Sequence, residues 1–184
     1  SFAGMLIFNG VYQNGEGGPP PLWLRLSTLI AIAAMPVYSG LAAYAFALRV
    51  GEYGLTPPRI AGLAMNALAF AYSLVCIAGL ASEARWKAAR WMAPVAPLNT
   101  AMAALWVATL MLLASPIVNL WAISARSQEL RVASGAVAPD DFDFGYLKFE
   151  LGPWGVRALQ RLAAFDGANA AAVRAGAARA LAAP

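Results

Sequence analysis

The chain has no histidine and only one cysteine. Histidine is the commonest metal ligand and the side chain that titrates near neutral pH. Its absence excludes imidazole ligation of haem or chlorophyll, His-containing zinc sites and Ser-His-Asp catalysis from this chain. Cys76 alone cannot form an internal disulfide. Because phosphate-binding glycine loops, Cys-x-x-Cys pairs and nucleophile elbows are also missing, we predict no catalytic residue, cofactor or metal site, and expect no enzyme.

Charge is also scarce. Charged residues make up 12% of the chain and hydrophobic ones 61%, whereas soluble domains carry about 25% charged residues. The formal net charge is +4, and the basic residues are scattered along the borders of apolar runs. That pattern favours anionic lipid headgroups over a nucleic-acid groove. We therefore predict that membrane lipids are partners and nucleic acid is not.

Three runs without a charge are long enough to cross a bilayer: Leu26–Leu48, Ile60–Leu80 and Leu98–Ile123. At 1.5 Å per residue, each exceeds a hydrocarbon core of roughly 30 Å. The predicted fold is an all-α integral membrane protein with three transmembrane helices. Pro36 and Pro116 should kink the first and third of them, because proline removes a backbone donor.

The sequence predicts three consecutive parts. Residues 1–21 form the end of a preceding helix and a Gly/Pro-rich loop, 22–123 a three-helix transmembrane region, and 124–184 a helical extramembrane tail. Since Ser1 is followed directly by an apolar stretch, we expect an interior or C-terminal part of a longer chain.

The stretch "GEYGLTPPR" separates the first two runs. Glycine ends helices at C′, threonine is a good N-cap and proline suits the first helical position, which predicts a tight helical hairpin. The alternative is a reactive loop that uses its carboxylate, tyrosine and arginine. The candidate hairpin-turn residues are Glu52, Tyr53, Gly54, Thr56, Pro57 and Arg59.

The second loop interleaves cations with tryptophans, a pattern typical of the membrane interface. A specific anionic-lipid or partner contact is the alternative. The candidate interface residues are Arg85, Trp86, Lys87, Arg90 and Trp91. Within the apolar runs, Asn66 and Asn119 can hydrogen-bond between helices or line a polar path, and we favour the first role.

In the tail, "SARSQELRVASG" should continue the third helix and end at Gly135. Pro139 should begin a new helix with Asp140, Asp141 and Asp143 in its first turn, although a strand over Tyr146–Glu150 is an alternative. Gly152 should end that element, Pro153 should begin another helix, and either an alanine-rich helix or a frayed tail should close the chain. The candidate docking face, covered by the tail itself, the membrane surface or another subunit, is Phe142, Phe144, Tyr146, Phe149 and Trp154.

Three segments carry a resemblance to a known family: "VYQNGE", "LRVGEYGLTPPRI" and "SARSQELRVASGAVAPDDFDFGYLKFELG". From Val11 to about Leu162 the chain resembles the bacterial multi-pass membrane family known as domain of unknown function 4153. The resemblance implies a multi-pass protein of the bacterial inner membrane with further helices upstream. It implies no activity and no catalytic residue.

Three functions agree with these features. The first is a structural or accessory component that packs with other membrane helices or subunits and docks through its tail. The second is part of a transporter or channel whose pathway lies in upstream helices. The third is a membrane enzyme acting on lipid or envelope precursors through Glu52, Tyr53 and Arg59. The hairpin turn and the tail should share one side of the membrane, but cations near the two sides balance and leave the orientation open.

Overall fold

The computed structural model describes residues 21–86 and 95–184. Every regular element in these two ranges is an α-helix, so the strand alternative at Tyr146–Glu150 is wrong. The helices are α1 (Leu22–Tyr53), α2 (Pro57–Trp86), α3 (Val95–Leu113), α4 (Leu120–Ala133), α5 (Phe144–Phe149), α6 (Gly152–Ala163) and α7 (Ala170–Ala182). The chain divides into two compact units. One holds the described residues up to Phe46 and those of Leu63–Met111, and the other holds Ala47–Gly62 and Leu112–Pro184.

The first two helices are long and apolar enough to cross a membrane, over Leu22–Tyr53 and Pro57–Ala78. Only 11% and 17% of the residues in their most apolar stretches are buried. Large side chains such as Trp23 and Ile30 are mostly exposed. The core helix of a soluble protein would bury these side chains. The composition and exposure of both helices indicate membrane association.

Polar side chains tie the helices of the first unit together. Asn66 Nδ2 donates to the Ser39 carbonyl oxygen at 3.0 Å, and the Tyr72 hydroxyl donates to Asn99 Oδ1 at 2.6 Å. The first bond joins α2 to α1, and the second joins α2 to α3. Asn66 therefore has the packing role that the sequence favours.

The third predicted helix differs from expectation, because it does not continue to Ile123 and on to Gly135. It ends at Leu113, and α4 begins separately at Leu120. Pro116 lies in the break, where it supplies no backbone donor. Asn119 is the N-cap of α4, since its Oδ1 accepts the Ala122 N–H at 2.9 Å. An interhelical role for Asn119 is therefore wrong, because its side chain caps its own helix.

The beginning of the tail also needs one correction. Gly135 has a φ of +76° and follows the C-cap of α4, as the sequence predicts. Pro139, however, does not begin a helix. The next helix starts at Phe144, with Asp143 as its N-cap accepting the Tyr146 N–H at 2.9 Å. A carboxylate that accepts an orphan N–H marks a helix start more directly than a proline that only tolerates one.

The last four helices enclose a hydrophobic core of their own. Aromatic and aliphatic side chains from α4, α5, α6, α7 and the residues that flank α5 meet there: Ala125, Val132, Phe142, Phe144, Leu147, Leu151, Ala158, Leu159, Leu162, Val173, Ala177 and Ala180. Two glycines permit close approach. A Cβ at Gly155 would overlap the Leu147 carbonyl, and a Cβ at Gly176 would overlap the Phe144 ring. The tail is thus a packed helical bundle.

Candidate functional site at the hairpin turn

The turn between α1 and α2 has the geometry that its sequence predicts. Gly54 has a φ of +74° and donates its N–H to the Val50 carbonyl oxygen at 2.8 Å. This single bond from C′ to C3 is the αL motif that ends many helices. Pro57 then begins α2, where its missing N–H costs nothing. The reversal of the chain takes only Gly54, Leu55 and Thr56.

One side of α4 binds this turn through four polar side chains, spaced so that they share a helix face: Ser124, Ser127, Gln128 and Arg131. We call these four residues the turn clamp. Ser124 Oγ donates to the Leu55 carbonyl oxygen at 2.9 Å, and the Leu55 N–H donates to Ser127 Oγ at 3.1 Å. Both backbone groups of Leu55 are therefore satisfied by α4.

The amide and guanidinium of the turn clamp bind the last carbonyls of α1. Gln128 Nε2 donates to the Tyr53 carbonyl oxygen at 2.9 Å and to that of Leu55 at 3.3 Å. Arg131 donates through Nη2 to the Glu52 carbonyl and through Nη1 to Gln128 Oε1 at 3.3 Å. The two side chains thus hold each other as well as the turn.

A second arginine completes the cap. Arg59, in the first turn of α2, donates Nη1 to the Gly54 carbonyl oxygen at 2.9 Å and lies over the Tyr53 ring at 5.4 Å. Every carbonyl from residue 52 to residue 55 therefore accepts a side-chain hydrogen bond. The end of a helix leaves such carbonyls without partners and carries partial negative charge, so two guanidiniums suit it.

Sequence reasoning missed the turn clamp, although it singled out the turn. A signal was present, because serine, serine, glutamine and arginine recur at i, i+3, i+4 and i+7 in "SARSQELR". Polar residues on a helix outside the membrane are usually taken as facing solvent. Here Ser124 and Gln128 are buried, which distinguishes the clamp from a solvated face.

An open cleft of about 710 Å³ lies beside the turn, within the second unit. It brings together hairpin residues and tail residues that the sequence analysis treated as separate candidates. The lining includes Glu52, Tyr53, Thr56 and Arg59 from the hairpin, Gln128 and Arg131 from α4, and Asp141, Phe142, Asp143 and Tyr146 from the tail. Its volume lies within the roughly 300–1,000 Å³ range of small-molecule sites.

The cleft holds charges of both signs that do not pair with each other. Over residues 21–86 and 95–184, the recorded ion pairs all involve Glu129, which does not line the cleft. Arg59 and Arg131 instead face backbone carbonyls. The carboxylates of Glu52 and Asp141 are exposed and accept no hydrogen bond from the described residues. In that part of the chain no carboxylate group is arranged to hold a metal ion.

The candidate docking face is divided by the fold. Phe142 and Phe144 are in the tail core, with ring centroids 4.8 Å apart, so the tail itself covers them and they are not available to a partner. Tyr146 packs partly against that core and lines the cleft. Phe149 is 62% exposed and Trp154 38%. Lys148 lies over the Phe149 ring at 5.5 Å, and Arg157 lies over Trp154 at 4.9 Å.

An ion pair with a buried carboxylate and a half-exposed arginine fixes the face of α4 that points away from the turn. Glu129 is 7% exposed and accepts two hydrogen bonds from Arg161 on α6, from Nε at 2.8 Å and from Nη2 at 2.7 Å. Arg126 Nη1 lies 3.7 Å from the same carboxylate. The hydrogen bond to Glu129 raises the pKa of Arg161 above the ordinary arginine value. The helix that clamps the turn is therefore also fastened to the tail core.

Most of the candidate interface residues lie outside the part of the chain that the structure describes. Lys87, Arg90 and Trp91 fall outside residues 21–86 and 95–184, and of Arg85 and Trp86 only the helical backbone is described.

Over the described residues, these features define a helical protein in which two long, apolar, mostly exposed helices are joined by a turn that a helical tail clamps. The sequence profile of the family called Domain of unknown function (DUF4153) matches residues 4–162. The chain belongs to that family, which agrees with the resemblance carried by its motifs. Comparisons with curated proteins and with solved structures each gave no match.

Proposed function

We propose that this chain is a multi-pass protein of the bacterial inner membrane that crosses the bilayer three times and acts as a structural or accessory component of a membrane assembly. The division into a transmembrane region over 22–123 and an extramembrane tail over 124–184 is part of this proposal. The turn clamp is the observation that supports the three crossings.

The hydrogen bonds of the clamp limit the number of crossings. If α1 and α2 each span the bilayer, the turn lies on one side and the end of α2 on the other. Ser124 and Gln128 bind the backbone of the turn, so α4 is on the same side as the turn. The chain must return across the membrane between Trp86 and Leu120, and α3 is the helix available for that crossing.

The length and composition of α3 suit this role. Its 19 residues extend for about 29 Å, close to the roughly 30 Å thickness of the hydrocarbon core. It is apolar from Pro97 to Leu113, and side chains such as Met111 are largely exposed. A helix of this length crosses with little tilt.

Two features of the described helices support the accessory role: their exposed apolar side chains, and the engagement of Asn66 in packing. Large apolar side chains remain exposed along α1, α2 and α3, which gives surface for lipid and for further membrane helices. Asn66 is engaged in packing α2 against α1, so we do not propose a polar path there. Phe149 and Trp154 remain as the exposed aromatic part of the proposed docking face.

Membrane insertion and topology can be tested together. In a background with Cys76→Ser, single cysteines are placed in the turn (Glu52→Cys), in the tail (Asp140→Cys) and at the position that follows α2 in the sequence (Lys87→Cys). A membrane-impermeant maleimide applied to intact and to permeabilised spheroplasts should label the first two from one side and the third from the other. Extraction of the chain by alkaline carbonate, or labelling of all three positions from one side, would contradict the proposal.

The docking role needs a separate experiment. A photo-crosslinking amino acid at Phe149 should give one discrete adduct in membranes, whereas the same group at Asp166, an exposed tail position, should give none. A chain that crosslinks at neither position and is purified alone in mild detergent would argue against an accessory component. That outcome would leave the membrane topology intact.

A further inference from the structure

We propose that the cleft at the hairpin turn binds a phosphoamine group, meaning a phosphate and an ammonium joined by a short linker, as in a phosphatidylethanolamine headgroup. The proposal rests on the membrane placement given above, because that placement puts the turn at the level of lipid headgroups. The proposed accessory role assigns no ligand to this cleft, and the present proposal adds one.

The charges of the cleft are the first argument. Opposite charges that line one cleft usually neutralise each other by pairing. Here Arg59 and Arg131 lie in the same cleft as Glu52, Asp141 and Asp143, yet no ion pair joins the two groups within the described residues. A ligand that carries one positive and one negative charge can satisfy both sets at once.

The anionic half of the site centres on Arg59. Only its Nη1 is engaged, at the Gly54 carbonyl, and the guanidinium is held over the Tyr53 ring. Nε and Nη2 make no hydrogen bond to the described residues and remain free for phosphate oxygens, which guanidinium binds in a forked geometry. Arg131 also lines the cleft and adds positive charge, although both of its terminal nitrogens already donate.

The cationic half of the site centres on Asp141. Its carboxylate is exposed in the cleft, without a partner among the described residues. Asp143 differs, because one of its oxygens already caps α5. The carboxylates do not form a cluster suited to a metal ion in the described part of the chain. Separated carboxylates next to Tyr146 suit an ammonium group better than a divalent cation, which requires converging oxygens.

The position of the turn decides which source of phosphoamine we favour. Glu52, Tyr53 and Arg59 lie at the junction of two helices that are each apolar enough to span a bilayer. Tyrosine and arginine are common at that depth. The same chemistry is present in soluble O-phosphoethanolamine, so the test includes both compounds.

The experiment uses the full chain in mild detergent, with native mass spectrometry to count retained lipid and thermal unfolding to measure stabilisation. The probes are dioleoyl phosphatidylethanolamine, dioleoyl phosphatidylglycerol, which lacks the ammonium, and soluble O-phosphoethanolamine. We expect one retained phosphatidylethanolamine per chain, preferred about tenfold over phosphatidylglycerol, since one charge-assisted hydrogen bond is worth roughly that factor. Binding of the soluble compound alone would keep the phosphoamine site and assign it to a soluble ligand.

Two neighbouring variants provide the control. Asp141→Asn should remove the preference for phosphatidylethanolamine, whereas Asp140→Asn, which alters an adjacent exposed carboxylate outside the cleft, should leave it unchanged. Equal retention of the two lipids by the unaltered chain together with no binding of O-phosphoethanolamine, or an unchanged preference in Asp141→Asn, would overturn the inference. The cysteine labelling described above is unaffected by either result, so failure of this site and failure of the membrane proposal are distinguishable.

Discussion

Gln128 Nε2 donates to the Tyr53 carbonyl oxygen at 2.9 Å, and the two residues are 75 positions apart in the chain. The bond joins the last turn of α1 to the middle of α4 and bypasses α2 and α3. Because the carbonyl at a helix end has no partner within its own helix, the side chain supplies a partner that the backbone cannot. The bond also supports the proposed topology, since it requires the turn and α4 to lie on the same side of any membrane that α1 and α2 cross.

Gln128→Ala should therefore destabilise the protein. The substitution removes donors to the Tyr53 and Leu55 carbonyls and leaves Arg131 without its Gln128 partner. A buried polar group that loses its partner costs about 1–3 kcal/mol, so we expect a lower temperature of thermal unfolding in detergent. Gln160→Ala, on an exposed position of α6, should change stability by no more than about 0.5 kcal/mol. Equal effects of the two substitutions would show that the clamp contributes little.

Gly54→Ala should be more damaging than its small size suggests. At a φ of +74°, a Cβ would be strained and would lie 2.7 Å from Arg131 Cδ and 2.9 Å from Gln128 Nε2. The left-handed conformation alone costs roughly 1–2 kcal/mol for a residue with a Cβ. Gly40→Ala is the matched control, because the position is helical and no side chain or neighbouring element lies within 4 Å of a Cβ there.

The two glycine substitutions should change the free energy of unfolding in opposite directions, which circular dichroism can measure. Alanine in a helix is preferred over glycine by about 0.5–1 kcal/mol, so Gly40→Ala should stabilise α1 slightly. A Gly54→Ala protein as stable as the parent would mean that the turn does not need its left-handed residue.

The sequence predicted the hairpin turn well because its signals are local. Gly54 at C′ and Pro57 at the first helical position act through their own backbone conformations. The end of α3 was misplaced because hydropathy continues past Leu113 to Ile123 without a charge. The information was instead in Pro116 and Asn119, which together interrupt the chain and cap a new helix.

The cleft could not be predicted, since it depends on contacts far apart in sequence. Glu52 and Asp141 line the same cleft only because α4 docks on the turn. The burial of the aromatic residues in the tail also depends on contacts between residues far apart in sequence. Phe142, Phe144 and Phe149 are alike in the sequence, yet the first two are in the core and the third is 62% exposed. Which aromatic is buried is decided by the packing of α7 against α5, for which "DFDFGYLKF" contains no local signal.

Glu129 and Arg161 should be coupled energetically, although only the carboxylate is buried and the Arg161 side chain is 52% exposed. Arg161→Ala leaves this buried carboxylate without the arginine that donates two hydrogen bonds to it, which is destabilising because a buried acceptor loses its donor. Arg157→Ala, which alters an arginine over the exposed Trp154 ring, should cost less. A double-mutant cycle with Glu129→Ala measures the coupling, and an interaction energy near zero would contradict this interpretation.

The pH dependence of the stability that Glu129 and Arg161 contribute follows from the direction in which the pKa of Arg161 is shifted. The hydrogen bond to Glu129 raises the pKa of Arg161 in the folded protein. For a base whose pKa is raised on folding, the added stability is fully present below the unfolded pKa and is lost as pH rises through the folded value. Arginine titrates only above about pH 12. The contribution of the guanidinium should therefore stay constant through neutral and mildly alkaline pH, and a loss near pH 8 would point to another group.

Gly155→Ala should disrupt the tail bundle while sparing α1 and α2. A Cβ at Gly155 would overlap the Leu147 carbonyl, which is backbone and cannot rotate away. The helices α5 and α6 would have to separate, exposing the buried Leu147 and Leu159 side chains. Overpacking of this kind costs about 1–3 kcal/mol or more. Ala175→Ser, at an exposed position of α7, is the control, and limited proteolysis should cut the Gly155→Ala tail faster while fragments of the first two helices persist. Proteolysis at the parental rate would mean that α5 and α6 do not pack through this glycine.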